Sequence, residues 1–323
     1  MKIALAASEA VPFCKTGGLA DVVGAMASKL GAAGHDVCLF LPRYRAVEVE
    51  GLEGKAQPLP IPLGGETAQA SLRYVQRRSV SVCFIDYPPF FDREGLYGHD
   101  GRDHPDNDRR FILFSRGVLE ALKVLGFKPD VVHAHDWQAG LIAAYLKTVY
   151  ARDAFFADTA SVFTVHNMAY QGNFPRAAMA QAGLPQAEFT PERLEYYGQV
   201  SFLKAGLVFA DQLTTVSPTY AREIQESGER GFGMEGLLRR RSDALTGVLN
   251  GIDLEIWSPE RDPHLARRFA LDDRAAGKAV CKAAVQHECG LSEDPSKPLV
   301  AVISRLDRQK GLDLAISAIE PRL

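Results

Sequence analysis

A lysine, a threonine and two glycines stand together near the start of the chain, at Lys15-Thr16-Gly17-Gly18. The apolar run 1–7 predicts a strand before them, and apolar residues at helical spacing predict a helix that begins near Gly18. Glycine has no Cβ, so a ligand can approach this backbone closely. A helix start also offers unpaired N–H groups and a partial positive charge. The stretch predicts an anion or phosphate site, with a simple turn and a solvated Lys15 as the equally weighted alternative.

Polar residues also follow the other predicted strands. They are His133-Ala134-His135-Asp136, His166-Asn167, Ser217, Asn250-Gly251-Ile252-Asp253, and Ser304-Arg305 with Lys310 five residues further on. In open parallel sheets, ligands bind at the carboxyl ends of the strands. The convergence of these groups on one edge therefore predicts a single site more strongly than any one motif does.

His133 and His135 raise the question of a metal ion. A metal site needs three or more ligands, and no downstream cluster of Cys or His completes one at a recognisable spacing. We therefore expect no metal, and we interpret both histidines as partners of backbone groups at the strand end. Asp136 stands where a helix is predicted to begin, so its plain role is to cap that helix. Its functional role would be to bond a sugar hydroxyl or to stabilise positive charge.

Arg305 and Lys310 flank a predicted loop near the end of the sequence. Surface charge is their plainest interpretation. Opposite a glycine cradle, however, they would form a diphosphate clamp, because arginine donates in a fork and lysine acts as a point charge. Such a clamp would stabilise a departing nucleotide diphosphate without a metal.

The elements that must position these residues alternate between strand and helix. This alternation predicts an α/β fold with a mainly parallel sheet. Residues 47–75 are rich in Gly, Pro and Gln and predict an antiparallel insertion, and 194–210 predict a helix. A Pro- and Asp-rich stretch at 258–263 predicts a boundary, after which 299–303 predict the first strand of a second β/α pattern.

The composition excludes several classes of function. The net charge is −3 without a concentrated basic stripe, so binding of nucleic acid is disfavoured. No run of 18 apolar residues predicts a membrane span. The five cysteines are scattered without a CxxC pair, which favours reduced thiols and a cytoplasmic protein. The oligomeric state is not indicated.

Six stretches of the sequence stand out together: SEAVPFCKTGGLADV, VHAHDWQAGL, FTVHNMAYQG, TTVSPTYAREI, GVLNGID and ISRLDRQKGLDL. In combination they resemble the bacterial glycogen synthases and their plant starch-synthase relatives. The resemblance implies the Rossmann-like parallel-sheet domain of a two-domain GT-B glycosyltransferase, with the active site between the domains. It further implies retaining transfer of glucose from ADP-glucose to the non-reducing end of an α-1,4-glucan, such as glycogen, with no metal or other cofactor.

The resemblance also assigns residues to the site. We expect the catalytic residues to be Asp136, His166, Arg305 and Lys310. We expect the substrate-binding residues to be Lys15, Gly17, Gly18, Asp21, Tyr97, Asn167 and Asn250.

The implied roles differ along the site. The glycine stretch would border the donor diphosphate and the acceptor. Tyr97 and Asp136 would lie near the sugars, and His166 would contact the transferred glucose through its backbone carbonyl and its ring. Arg305 and Lys310 would bind the diphosphate.

The resemblance also bears on the domains. We expect an N-terminal domain at 1–258, a linker and helix at 259–298, and at 299–323 the first β-α unit of a truncated nucleotide-binding domain. A lone β-α unit cannot bury both faces. The remainder in the family holds a glutamate that faces the glucosyl group and the residues that read the base. Two alternatives therefore stay open: an inactive fragment that keeps a glucan-binding surface, and a glycosyltransferase with another donor, such as UDP-glucose.

Overall fold

The computed structural model describes residues 1–48, 51–52, 56–306 and 308–319. The chain divides into two units, Met1–Ile252 and Asp253–Leu323. None of the helices in the described ranges is long and apolar enough to cross a lipid bilayer.

The strands are β1 (Lys2–Ala6), β2 (Asp36–Pro42), β3 (Ala56–Leu63), β4 (Glu66–Arg77), β5 (Val80–Asp86), β6 (Gly98–His99), β7 (Arg102–Asp103), β8 (Val131–His135), β9 (Ala160–Val165), β10 (Asn173–Pro175), β11 (Glu195–Tyr196), β12 (Gln199–Ser201), β13 (Gln212–Thr215) and β14 (Leu245–Gly247). The helices are α1 (Gly18–Ala32), α2 (Pro88–Phe91), α3 (Asn107–Val124), α4 (Asp136–Ala139), α5 (Leu141–Lys147), α6 (Ala178–Ala182), α7 (Phe202–Phe209), α8 (Pro218–Glu226), α9 (Gly228–Gly231), α10 (Glu235–Arg240), α11 (Arg274–Glu288) and α12 (Leu312–Ile319).

One large sheet organises the first unit. Among the described residues it contains nine strands in the order β14-β13-β9-β8-β1-β2-β5-β4-β3. The strands from β14 to β5 pair in parallel, and β4 and β3 add an antiparallel edge. The central strands are almost fully buried because helices cover a parallel sheet on both faces. The predicted α/β fold is confirmed. The antiparallel insertion predicted at 47–75 is confirmed from residue 56 onward as β3 and β4, and residues 49–50 and 53–55 lie outside the described residues.

Helix α1 packs closely through small residues. Its buried residues are Ala20, Val23, Ala27 and Gly31. A Cβ on Gly31 would lie 2.4 Å from Oγ of Ser79, and one on Gly24 would lie 2.6 Å from the carbonyl oxygen of Val11. The helix that the apolar spacing predicts is present, with Val23 buried and Leu19, Met26 and Leu30 partly buried against the core.

Two predicted elements are wrong. The predicted helix 194–210 begins with the antiparallel strands β11 and β12, and only its second half is helical, as α7. Tyr197 and Gly198 both have positive φ, +49° and +79°, and so close the tight turn that joins these strands. The predicted strand 299–303 makes no strand pairing with the described residues. A strand requires a partner for its backbone groups.

Candidate active site

Glu9 holds the loop that leads from β1 to α1. Its side chain is only 3% exposed. One carboxylate oxygen accepts hydrogen bonds from the Thr16 hydroxyl at 2.7 Å and from the Tyr97 hydroxyl at 2.5 Å. The other accepts from the backbone N–H groups of Thr16 and Gly17, the latter at 3.3 Å. Glu9 thus joins the glycine stretch to Tyr97. It also accepts from the Thr16 and Gly17 amides, which belong to the stretch that the sequence predicts as an anion site.

The start of α1 is open at both glycines. Gly17 is extended, with φ −155° and ψ −168°, and it has no side chain with which to cap the helix. Apart from the immediate chain and helix neighbours, no heavy atom of the described residues lies within 4 Å of a Cβ placed on Gly17 or Gly18. Neither backbone strain nor a neighbour therefore demands glycine here. What the missing Cβ atoms provide is access to the first-turn amides.

Lys15 forms an ion pair with Asp21 in the first turn of α1. Its Nζ lies 2.8 Å from both carboxylate oxygens of Asp21, and the two side chains are 46% and 37% exposed. The structure thus places two of the predicted binding residues in direct contact. An anion at the helix start would compete with Asp21 for the ammonium group.

Tyr97 closes this part of the site. Its hydroxyl bonds Oγ of Ser8 at 2.7 Å as well as Glu9. Burial, with the nearby Tyr44 and Glu9, raises the pKa of Tyr97 well above its usual range, so the phenol stays protonated. Asn107 fixes the segment by donating from Nδ2 to the Tyr97 carbonyl at 2.9 Å. Tyr97 therefore donates its proton inward to Glu9.

Asp136 ties the ends of β8 and β9 together. Its Oδ1 accepts the backbone N–H of His166 at 2.7 Å. The helix that begins at Asp136 has His135 as its N-cap residue, so the alternative in which Asp136 caps this helix is wrong. Asp136 has φ +54°, an uncommon conformation for a residue with a side chain. Burial raises its pKa, His166 opposes this shift, and the charge of Glu9 adds to it.

Three histidines line up beside Asp136. Nδ1 of His135 lies 3.1 Å from Nε2 of His166, and the His133 ring stacks on the His135 ring with centroids 4.2 Å apart. Burial lowers the pKa of His133 to about 4 and that of His135 well below its usual value, so both rings are neutral at pH 7. Nε2 of His133 bonds the hydroxyl of Thr164 at 2.6 Å rather than a backbone group. Within the described ranges, no three His, Cys, Asp or Glu side chains are arranged to hold a metal ion.

His166 and Asn250 border a common pocket of about 230 Å³. One wall comes from α1 through Val22, Ala25, Met26 and Lys29. The remainder comes from β9, β13 and the chain after β14, through Thr164, Thr214, Thr215, Val216, Val248, Leu249, Gly251 and Ile252. Asn167 makes a turn beside this pocket, with its Oδ1 accepting the N–H of Ala169 at 3.0 Å. The structure thus brings Asn250 to His166, as the strand-end argument predicts.

The sequence matches the family described as the starch synthase catalytic domain over residues 2–240. The chain belongs to this family. It is 52% identical to the glycogen synthase of Elusimicrobium minutum over 97% of this chain and 66% of that protein. It is 47% identical to the glycogen synthase of Syntrophotalea carbinolica over 100% of this chain and 67% of that protein. The chain therefore spans about two thirds of the length of these curated relatives.

Comparison with a solved structure of a starch synthase supports the same family through the fold. The catalytic domain of Starch Synthase IV from Arabidopsis thaliana, bound to ADP and acarbose, superposes with a TM-score of 0.89 at 34% identity. The match covers 99% of this chain and 65% of that one. The resemblance found in the sequence and the predicted Rossmann-like sheet of a GT-B glycosyltransferase are confirmed.

The remaining predicted site residues of this starch synthase domain protein lie in the second unit. Arg305 is exposed, and Lys310 ends a short 3₁₀ turn, Arg308–Lys310, before α12. Their role as a diphosphate clamp stays a prediction. The sequence interpretation also missed Glu9 and the contact between His135 and His166. Glu9 stands inside the first of the resembling stretches, but no spacing rule distinguishes a buried carboxylate from a surface one.

Proposed function

We propose that the protein is a glycosyltransferase of glycogen synthesis, which transfers glucose from ADP-glucose to the non-reducing end of an α-1,4-glucan with retention of configuration. The observation that carries this proposal is the open, glycine-led start of α1, next to Asp136 and His166 at the carboxyl edge of β1, β8 and β9. Such an edge is where α/β folds bind nucleotides and sugars. Two further facts support it: the names of the most similar curated proteins, and the ADP and acarbose in the Arabidopsis structure.

The proposed roles follow from the chemistry of each group. The first-turn amides of α1 would donate to the diphosphate, and Lys15 would leave Asp21 to pair with it. Asp136 and Tyr97 would lie next to the sugars, and His166 with Asn250 would border the glucose being transferred. Arg305 and Lys310 would neutralise the departing diphosphate, as charge developing there must be stabilised. We propose no metal for this step, and we propose the cytoplasm as its location.

A second candidate is binding of glucan without transfer. It is favoured by the family match, which covers residues 2–240 and does not include Arg305 or Lys310, the two residues proposed for the diphosphate. A third is transfer from another nucleotide sugar, because the resemblance places the base-reading residues beyond the part matched here. One assay separates these candidates.

The assay measures incorporation of radiolabelled glucose into glycogen by this chain, with ADP-glucose or UDP-glucose as donor and with EDTA present. Incorporation from ADP-glucose above background supports the proposal. Retardation of the protein in a glycogen gel without incorporation would instead establish glucan binding alone. A preference for UDP-glucose would establish the third candidate.

Lys15→Gln tests the site within the same assay. We expect activity to fall about ten-fold or more, because a charge-assisted contact is worth about 1.5 kcal/mol or more. Lys128→Gln is the matched control, since Lys128 is also 46% exposed and also forms a 2.8 Å ion pair, with Asp158. Equal activities of the two variants would remove Lys15 from the proposed site.

A further inference from the structure

His135 is a fully buried histidine held on two sides. Its ring stacks on His133 at 4.2 Å between centroids, and its Nδ1 lies 3.1 Å from Nε2 of His166. The His166 backbone is held as well, by Oδ1 of Asp136. The imidazole pair is therefore fixed in geometry, and the open question is which nitrogen carries the proton between the rings.

Two neutral imidazoles can share this contact in two ways. In the first, His135 donates from Nδ1, its Nε2 has no proton, and His166 must carry its own proton on Nδ1. In the second, His166 donates from Nε2, and the proton of His135 is then on Nε2. The two arrangements give Nδ1 of His166 opposite hydrogen-bonding characters: it is a donor in the first and an acceptor in the second.

The other nitrogen of His135 decides between them. Nε2 of His135 is buried and has no hydrogen-bond partner among the described residues. A proton there would be a buried N–H donor without an acceptor, and such donors are rarer in folded proteins than unsatisfied acceptors. The same objection applies if His166 is an imidazolium that donates from Nε2. The first arrangement is the one that avoids a buried unsatisfied donor.

We infer that His135 donates from Nδ1 to Nε2 of His166 and so holds His166 in the tautomer that carries its proton on Nδ1. His166 then offers the pocket a donor, while its single lone pair is already engaged. It can donate to a sugar hydroxyl or a phosphoryl oxygen, but it cannot accept a proton from either. His135 is thus a positioning residue, and this role in catalysis rests on the proposed glucosyl transfer.

The tautomer of His166 can be measured directly in the protein of 323 residues. Long-range ¹H–¹⁵N NMR on protein labelled at the histidine rings distinguishes a protonated Nδ1 from a protonated Nε2, and His166→Gln identifies the signals of His166. We expect Nδ1 of His166 to be protonated and Nε2 to be bare at pH 7. A protonated Nε2 in the unmodified protein would overturn the inference, whatever the variants do.

Two substitutions at His135 test its role. His135→Leu removes the donor at similar size, and we expect His166 to lose its single tautomer. His135→Asn keeps an amide donor near the position of Nδ1, and we expect it to restore the Nδ1–H form. His133→Gln is the control, because it changes the ring stack but leaves the contact between His135 and His166. An unchanged His166 tautomer in His135→Leu would refute the positioning role.

Activity gives an independent readout. We expect His135→Leu to lower kcat/KM for glucosyl transfer about five-fold, the factor for one neutral hydrogen bond, and His135→Asn to stay within about two-fold. If the unmodified protein has the expected tautomer but transfers no glucose, the proposed function fails and the tautomer assignment stands. If the protein transfers glucose but Nε2 of His166 is protonated, the proposed function stands and the tautomer assignment fails.

Discussion

At the scale of single residues, the buried carboxylate of Glu9 fixes the conformation of the glycine stretch. Glu9 accepts four hydrogen bonds, which fix the backbone at Thr16 and Gly17 and the hydroxyl of Tyr97. Hydrogen bonds to an ionised group are about twice as strong as neutral ones. The glycine stretch therefore has a defined conformation before any ligand arrives.

Glu9→Gln should lower the free energy of unfolding by about 2 kcal/mol. The amide keeps one acceptor oxygen, but its NH₂ group then faces backbone N–H groups or hydroxyls that also donate. Urea denaturation at pH 7 measures the change. Asp158→Asn is the control, because its carboxylate is 82% exposed and such pairs contribute less than about 1 kcal/mol. Comparable losses in both variants would contradict the anchoring role of Glu9.

At this scale, sequence patterns predicted where the site residues lie in the fold better than they predicted which side chains those residues contact. The strand-end rule brought Asp136, His166 and Asn250 to one edge, because parallel strands all end on the same side. It could not foresee that Asp21 pairs with Lys15, since side-chain partners depend on rotamers and burial. Glu9 was missed for the same reason: its role arises from Tyr97, which is 88 residues away along the chain.

At the scale of elements, close approach decides the packing. Helix α7 lies against β9 at Gly206, where a Cβ would come within 2.4 Å of the Phe163 ring. The helix within 259–298 was predicted and is present as α11, because an amphipathic pattern needs no tertiary information. The hairpin of β11 and β12 was not, since the Tyr197-Gly198 turn lacks the usual Asn-Gly or Asp-Gly signal.

Gly206→Ala should destabilise the protein by about 2 kcal/mol, although alanine is the better helix former. Overpacking against Phe163 outweighs the gain in helix propensity, which is at most about 1 kcal/mol. Gly236→Ala in α10 is the matched control, because apart from the chain neighbours and the backbone of its own helix, the nearest heavy atom of the described residues to its Cβ is Nη2 of Arg239, 4.0 Å away. It should stabilise by up to about 1 kcal/mol. Thermal unfolding of both variants measures the sign of the change in stability. A Gly206→Ala variant as stable as the unmodified protein would refute the packing argument.

At the scale of the whole molecule, the division at Ile252 separates two differently built units. The first contains the large sheet and its buried core. In the second, the strand predicted at 299–303 does not pair with the described residues, so that segment has no strand to stabilise it. Sequence pattern indicates the tendency of a segment to extend, but pairing requires a neighbouring strand.

Limited proteolysis should reveal this division. We expect chymotrypsin to cut first after Leu254 or Trp257, which are 65% and 58% exposed and lie outside helices and strands. The buried sheet should protect the first unit. Mass spectrometry of the early products identifies the cut. Initial cleavage within β1 to β13 would contradict the assignment of the more stable unit.

The close packing of α1 also has a thermodynamic consequence. The helix is a rod of about 22 Å, at about 1.5 Å per residue, and contacts at Gly24 and Gly31 leave it little room to shift. Its first turn is therefore presented to a ligand by a rigid support. The conformational entropy lost on binding should therefore come from the ligand and the Lys15 side chain rather than from the backbone.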